Sequence, residues 1–265
     1  MHVSQLSLYP LKSARGYTVP QFQIDDRGPQ WDRRWMLVDE KGQFLSQRKH
    51  PVMTQLLVTV EDNELQIQAP GMPDLIVPFF YWGMIKARQA VTVWRDTMPA
   101  KIAEGHVNAW FTQVLGQPCK LAYMPEETRR KVDPSYAKSG EITSFADGYP
   151  LLLATESSLA QFNEWLGESV EMARFRPNVV ISGNEAFAED HWQRLRIGTM
   201  EFQVVKPCSR CAIPTLDPQT GKRNVAVFST LSQYRSRGDE VFFGQNLLPT
   251  GTGELKVGDK VEILA

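Results

Sequence analysis

The sequence predicts a strand-rich α+β protein, and three observations carry that reading. The first 95 residues break into short apolar runs separated by turn formers, the pattern of a β-barrel or sandwich. Helical periodicity surfaces in only two places. At 265 residues, 42% apolar and 22% charged, the chain can bury a real core and is globular rather than disordered.

Val3, Leu6 and Leu8 begin a strand that Pro10 ends. Trp35 to Val38 is a second strand, Asp39-Glu40-Lys41-Gly42 a turn, and Phe44-Leu45 its return. Leu56 to Val60, the turn Glu61-Asp62-Asn63 and Leu65 to Ile67 give another hairpin, and Val91 to Trp94 a further strand. Val107, Trp110, Phe111, Val114 and Leu115 share one helical face, which Gly116 stops. Leu151 to Ala154 reads as a buried strand running into a helix with Leu159, Phe162 and Leu166 as its stripe; Thr155 caps it and Glu156 suits its positive end. Strands return at Val179 to Ser182, Met200 to Val205 and Lys260 to Leu264. Between these halves, Glu126 to Gly148 is polar, holds Arg129-Arg130-Lys131, and reads as a long surface loop or crossover. A boundary near 122 divides the chain into residues 1–122 and 123–265.

A net charge of -1 gives no bulk electrostatic case for nucleic acid or an anionic membrane. The N-terminus has no signal-peptide pattern, and no run of about 18 apolar residues predicts a membrane span. Three cysteines cannot all pair, so free thiols in a reducing cytoplasm are expected.

The most informative stretch is Lys206-Pro207-Cys208-Ser209-Arg210-Cys211, where two thiols flank an arginine. A thiolate is a nucleophile or a soft metal ligand, and a guanidinium beside it stabilises the anion. Zinc would need more ligands, and His2, His50, His106 and His191 lack ligand spacing. A thioredoxin-like pair should open a helix, which Pro214 and Asp217-Pro218 oppose. Two buried structural thiols remain a third reading. Basic and hydroxyl groups at strand ends form a second set: Lys12-Ser13, Arg33, Arg34, Arg48, Arg176 and Asn178. Arginine gives bidentate contacts to phosphate and lysine a point charge, though any one alone reads equally as a solvated surface group. Ser144-Phe145-Ala146-Asp147-Gly148-Tyr149-Pro150 is either an ordinary turn or a ligand-binding loop.

Taken in order, six segments resemble the MOSC superfamily, and more closely its bacterial and mitochondrial amidoxime-reducing branch. They are Tyr9-Pro10-Leu11-Lys12-Ser13, Asp32-Arg33-Arg34-Trp35, Ser144 to Pro150, Phe175-Arg176-Pro177-Asn178, Lys206 to Cys211, and Phe243-Gly244-Gln245-Asn246. The resemblance implies an N-terminal β-barrel domain (1–122) packed on a MOSC β-barrel domain with a few helices (123–265), with a molybdenum cofactor (Mo-molybdopterin) between them. By motif position, Cys211 would ligate the metal and serve as the catalytic centre, and Cys208 would not. Lys12, Ser13, Arg33, Arg176, Asn178 and Arg210 would contact pterin and phosphate, and Asp147, Gly148 and Tyr149 would form a further contact loop. Tyr149 is a bulkier phenol where relatives often carry an alcohol, and Thr155 stands where a relative has serine. The implied activity is reduction of small N-hydroxylated compounds (amidoximes, hydroxylamines, N-hydroxylated bases). With one cysteine outside the motif, the chain cannot hold the [2Fe–2S] cluster that some bacterial relatives carry. Electrons are therefore expected from a separate ferredoxin- or flavoprotein-type donor, or from a segment beyond Ala265. The alternative is a non-turnover cofactor or persulfide sulfur carrier.

Overall fold

A computed structural model describes residues 1–137 and 140–265. Lys138 and Ser139, inside the expected long loop, lie outside the described residues.

The architecture is strand-rich α+β, as expected. The largest sheet has nine strands. Its order runs Tyr17–Val19, His2–Leu8, Val179–Ser182, Leu151–Thr155, Glu240–Pro249, Met200–Ser209, Arg194–Ile197, Val261–Ile263, with Ser236–Arg237 paired to Glu240–Pro249. A bridge between His2 and Lys260, with Val3 N donating to Asp259 O (2.9 Å) and Val261 N to Met1 O (3.1 Å), joins the first strand to the last. The sheet therefore closes on itself, which leaves few unpaired edges. Alternating apolar residues fill its inside: Val3, Leu6, Leu151, Leu153, Ile181, Leu195, Phe202 and Leu247.

A second, smaller sheet orders Trp35–Val38, Lys120–Tyr123, Asp96–Ile102, Arg88–Val93. Gln43 bridges Thr92 while Phe44 bridges Val38, so this sheet also closes, around Met36, Val38, Val91, Val93, Met98 and Phe145. Beside it, the meander Leu57–Glu61, Glu64–Gln68, Leu75–Pro78 packs on the helix His106–Leu115 through Val58, Leu65, Ile67, Trp82 and Phe111. That helix ends at Gly116 in the left-handed region (φ 67°), the stop its sequence predicts.

The capping expectation at Thr155 is met: its side chain accepts from Ser158 N at the start of the helix Glu156–Leu166. Three features differ from expectation. Residues 2–29 fold with the second half: His2–Leu8 pairs with Val179–Ser182, and Gln21–Asp25 with Gly253–Lys256. The strand expected to end at Val205 continues to Ser209 through two irregularities, one of which accommodates Pro207 in the ladder. A helix at Val225–Arg235, capped by Asn224, was not expected; it buries Val227 and Leu231 against Phe162, Phe175 and Phe243.

The loop read as polar surface is also anchored. Arg130 is buried; its Nε pairs with Asp96 (2.8 Å), Nη1 donates to Ser144 O (3.0 Å) and to Ala146 O, and Nη2 reaches Asp147 O (3.3 Å). One guanidinium thus holds the whole Ser144–Asp147 turn.

Candidate functional site

One cleft of about 260 Å³ gathers all ten residues singled out for cofactor or metal contact: Lys12, Ser13, Arg33, Asp147, Gly148, Tyr149, Arg176, Asn178, Arg210 and Cys211. They come from both halves. The turn after the first strand supplies Lys12 and Ser13; Lys12 N donates to Trp35 O (2.8 Å) and Ala14 N to Leu11 O (3.1 Å). Arg33 enters from the segment before Trp35, fixed by Arg33 N to Tyr9 O and Phe145 N to Arg33 O, both 2.9 Å. The strand end and following turn supply Arg210 and Cys211.

Ser13, Arg33 and Arg176 are non-glycine residues with positive φ (66°, 49° and 59°). Such backbone costs on the order of 1–3 kcal/mol per residue and persists where surroundings over-determine it. Three of them on one cleft wall mark a place where side-chain direction outweighs backbone comfort.

The wall is built around Tyr9. Its ring lies between two guanidiniums, with Arg33 at 4.3 Å and Arg176 at 4.4 Å from the centroid, and its hydroxyl donates to Pro177 O (3.2 Å). Burial pushes the Tyr9 phenol up, so it stays neutral between the two cations. Behind it, buried Asp32 accepts from Arg33 Nη1 (2.5 Å), Tyr9 N (2.9 Å) and Asn178 Nδ2 (3.0 Å). Burial raises the Asp32 carboxyl, and Arg33 opposes that. Asn178 also donates to Ser7 O (3.2 Å) and accepts from Arg33 Nη1 and Leu152 N (3.2 Å each). Its amide is committed to the protein, so it orients Arg33 more than it offers a free donor.

Lys12 is buried, with Nζ 2.7 Å from Phe145 O and 2.6 Å from Asp147 Oδ1. Burial pushes this lysine down to about 8 despite Asp147. Burial alone would raise the Asp147 carboxyl, but Lys12, Trp94 and Arg33 together hold it well below the usual range. Asp147 faces the open cleft with 70% of its side chain exposed, so water screens much of that interaction. Burial and neighbouring Arg33 push Arg176 down to about 10, still protonated at neutral pH.

Arg210 does not point its guanidinium at Cys211. Nη1 lies 3.0 Å from Cys208 Sγ and Nη2 donates to Phe175 O (2.9 Å), while buried Nε has no partner among the described residues. Cys211 is exposed at the cleft and Cys208 half-buried. Among the described residues, no group of three or more His, Cys, Asp or Glu could hold a metal ion.

Two expected neighbours lie elsewhere. Arg34 turns into the interior, donating to Met124 O (2.8 Å) and pairing with Glu126 (2.6 Å). Thr155 is a buried cap bonded to Ser158 and Glu189, outside the cleft lining. Conversely, Phe44, Gln47, Trp94 and Lys206 line the cleft and were not singled out; Arg48, one of the scattered cations, joins them. A tryptophan at a hairpin turn, Trp94 in Val93-Trp94-Arg95-Asp96, was the one local signal available.

Six cationic side chains and one carboxylate line the cleft, in a protein of net charge -1. Charge is therefore concentrated locally, and the arrangement suits an anionic ligand with several acceptors, met by a thiol at its edge.

Residues 1–118 match the MOSC N-terminal beta barrel domain and residues 141–262 the MOSC domain. The mitochondrial amidoxime reducing component 2 of Rattus norvegicus is 33% identical over 98% of this chain and 82% of that protein. The human mitochondrial amidoxime-reducing component 1 is 30% identical over 99% of this chain and 82% of its own length. Human molybdenum cofactor sulfurase is 30% identical over 93% of this chain but only 30% of that protein. Among solved structures, the YUAD protein from Bacillus subtilis aligns with a TM-score of 0.41 and 10% identity over 98% of this chain and 92% of that one, too low to carry inference. The chain belongs to the MOSC family and is homologous along its length to the mitochondrial amidoxime-reducing components.

Proposed function

We propose that this protein is a molybdenum-cofactor-binding oxidoreductase that reduces N-hydroxylated compounds, with electrons from a separate ferredoxin- or flavoprotein-type donor. The observation that carries the reading is the cleft itself: six cations and an exposed thiol converge on one volume of about 260 Å³. The donor set fits a pterin phosphate bearing a thiolate-liganded metal. Lys12, Ser13, Arg33 and Arg176 would hold the phosphate oxygens. Arg210, in the cleft lining beside Cys211, would contact the pterin. Cys211 would ligate the metal, a soft thiolate suiting molybdenum. Asp147, Gly148 and Tyr149 would border the pterin. When bound, the molybdenum would supply two electrons and take up the oxygen of the N–O bond. The chain's own part is to orient, neutralise and exclude water.

We further propose residues 1–122 and 123–265 as the two sequence domains, and a cytoplasmic location. No helix among the described residues is long and apolar enough to cross a membrane.

A second reading, a cofactor or persulfide carrier, is favoured by the exposure of Cys211 and by the likeness to molybdenum cofactor sulfurase. The test is protein from a cofactor-producing host, measured for molybdenum and then assayed with benzamidoxime and a chemical reductant. Near one molybdenum per chain, lost in Cys211→Ser but kept in Cys208→Ser, with turnover to benzamidine, supports the oxidoreductase. Molybdenum without turnover favours the carrier. Full activity in Cys211→Ser sinks the metal-ligand role.

A further inference from the structure

The part of the cleft lining contributed by the first half is aromatic as well as cationic. Trp94 sits at the turn between the strands Arg88–Val93 and Asp96–Ile102, at φ 56°, with 45% of its surface exposed. A large apolar ring left open in a strained turn, in the wall of a binding cleft, is not explained by packing. The Arg48 guanidinium stands 4.5 Å from the Trp94 ring centroid and has no carboxylate partner or side-chain hydrogen bond among the described residues. Phe44 packs on Trp94 at 5.0 Å and 56°, and the indole N–H donates to Asp147 Oδ1 at 3.2 Å, which fixes the ring. The result is a held platform of indole and guanidinium. Both are planar, and both stack on planar π-systems; the guanidinium's free N–H groups can also donate to an acceptor at the edge of whatever stacks there. None of these three side chains is needed for the anion contacts already assigned to Lys12, Ser13, Arg33, Arg176 and Arg210.

We infer that Trp94 and Arg48, backed by Phe44, form a stacking platform that selects planar, π-conjugated substrates, so that arylamidoximes and N-hydroxylated nucleobases are favoured over small aliphatic hydroxylamines. This rests on the proposed reductase reading and specifies its substrate class. Base-on-aromatic stacking elsewhere is worth enough to shift binding about tenfold on alanine substitution.

The experiment compares benzamidoxime with N-methylhydroxylamine in the loaded enzyme with a chemical reductant. It also measures benzamidoxime binding to the same protein by calorimetry without reductant. Trp94→Ala and Arg48→Ala should each lower the kcat/KM ratio of benzamidoxime to N-methylhydroxylamine about tenfold. They should weaken benzamidoxime binding by a similar factor, with molybdenum content at the wild-type level. Trp94→Phe keeps a ring and loses the N–H, and should retain most of the selectivity. Equal losses on both substrates would overturn the platform. So would a fall in molybdenum or pterin content, which would mean that the ring holds the cofactor. Trp94→Phe as poor as Trp94→Ala would mean that Trp94 acts only through Asp147, and would overturn it too. Benzamidoxime binding that depends on Trp94 in a protein without turnover would leave the platform standing and remove the reductase reading.

Discussion

Replacing Arg33 with methionine isolates the energetics of the cleft wall. The Arg33–Asp32 pair is close (2.5 Å) and dry, with 13% and 2% of the two side chains exposed. Methionine keeps the stem's bulk and asks nothing new of a backbone already at φ 49°. What it removes is the charge opposite a carboxylate that water cannot reach. Breaking a buried pair from one side costs about 3–5 kcal/mol, because the orphaned charge remains. At roughly 2–4 °C per kcal/mol for a chain of this size, the Tm should fall by about 6–20 °C at pH 7. The pH dependence is diagnostic. Burial already raises the Asp32 carboxyl against Arg33's opposition, and without the guanidinium it rises further. A folded-state value above the unfolded one means that proton binding favours the fold. That contribution is present at low pH and is lost as pH climbs through the folded value. The deficit of Arg33→Met relative to wild type should therefore shrink between pH 7 and pH 5. Adding Asp32→Asn should recover about 2 kcal/mol or more, since a neutral amide needs no cation. Urea denaturation of the three proteins at both pH values is the assay. A loss below about 1 kcal/mol, the range of an exposed pair, or a double variant no better than the single one, would refute the account.

Sulfate, whose charge is constant above neutrality, should bind the cofactor-free cleft less tightly as pH rises from 7 to 9.5, because Lys12 loses its proton around 8. Titration calorimetry should show a drop of about tenfold, the worth of one charge-assisted hydrogen bond, and Lys12→Arg should flatten the profile. Of the three thiols, Cys208 and Cys211 should react promptly with a disulfide reagent at pH 8. Cys119, buried and pushed up to about 11, should react only on unfolding; three fast thiols in the native protein would contradict its placement. Gly244→Ala should destabilise by about 2–4 kcal/mol in urea, since a Cβ there meets Leu153 O at 2.6 Å on backbone at φ 80°. An unchanged midpoint would show that the strand Glu240–Pro249 shifts without cost.

The residues brought to one cleft were legible chiefly through the six motif segments of the family resemblance; their position near strand ends made several of them candidates but did not select them. Arg33, Arg176 and Cys211 were singled out by motif position, which needs no knowledge of packing. Trp94 did need it, because nothing local distinguishes a turn tryptophan aimed at a cleft from one left on the surface. Arg130 misled for the same reason in reverse: three basic residues in a polar run read as solvated, yet the middle one is buried under the Asp147 turn. The helix Val225–Arg235 escaped notice because Val225 and Tyr234 are exposed while Val227 and Leu231 are buried, which blurs the apolar stripe. Pairing of His2–Leu8 with Val179–Ser182 has no short-range signature at all.

That pairing has a temporal side. The strand His2–Leu8 meets Tyr17–Val19 early, but its neighbour on the other side exists only when residues 179–182 have been made, and the ring closes only with Val261–Ile263. At translation speeds of about 5–20 residues per second, the strand waits roughly 9–35 s for this distant partner. Tyr9, Lys12 and Ser13 trail directly behind it, so the anion-binding wall cannot assemble while the nascent chain is short. Whatever ligand the cleft takes must be delivered to a finished protein, not to one still being synthesised.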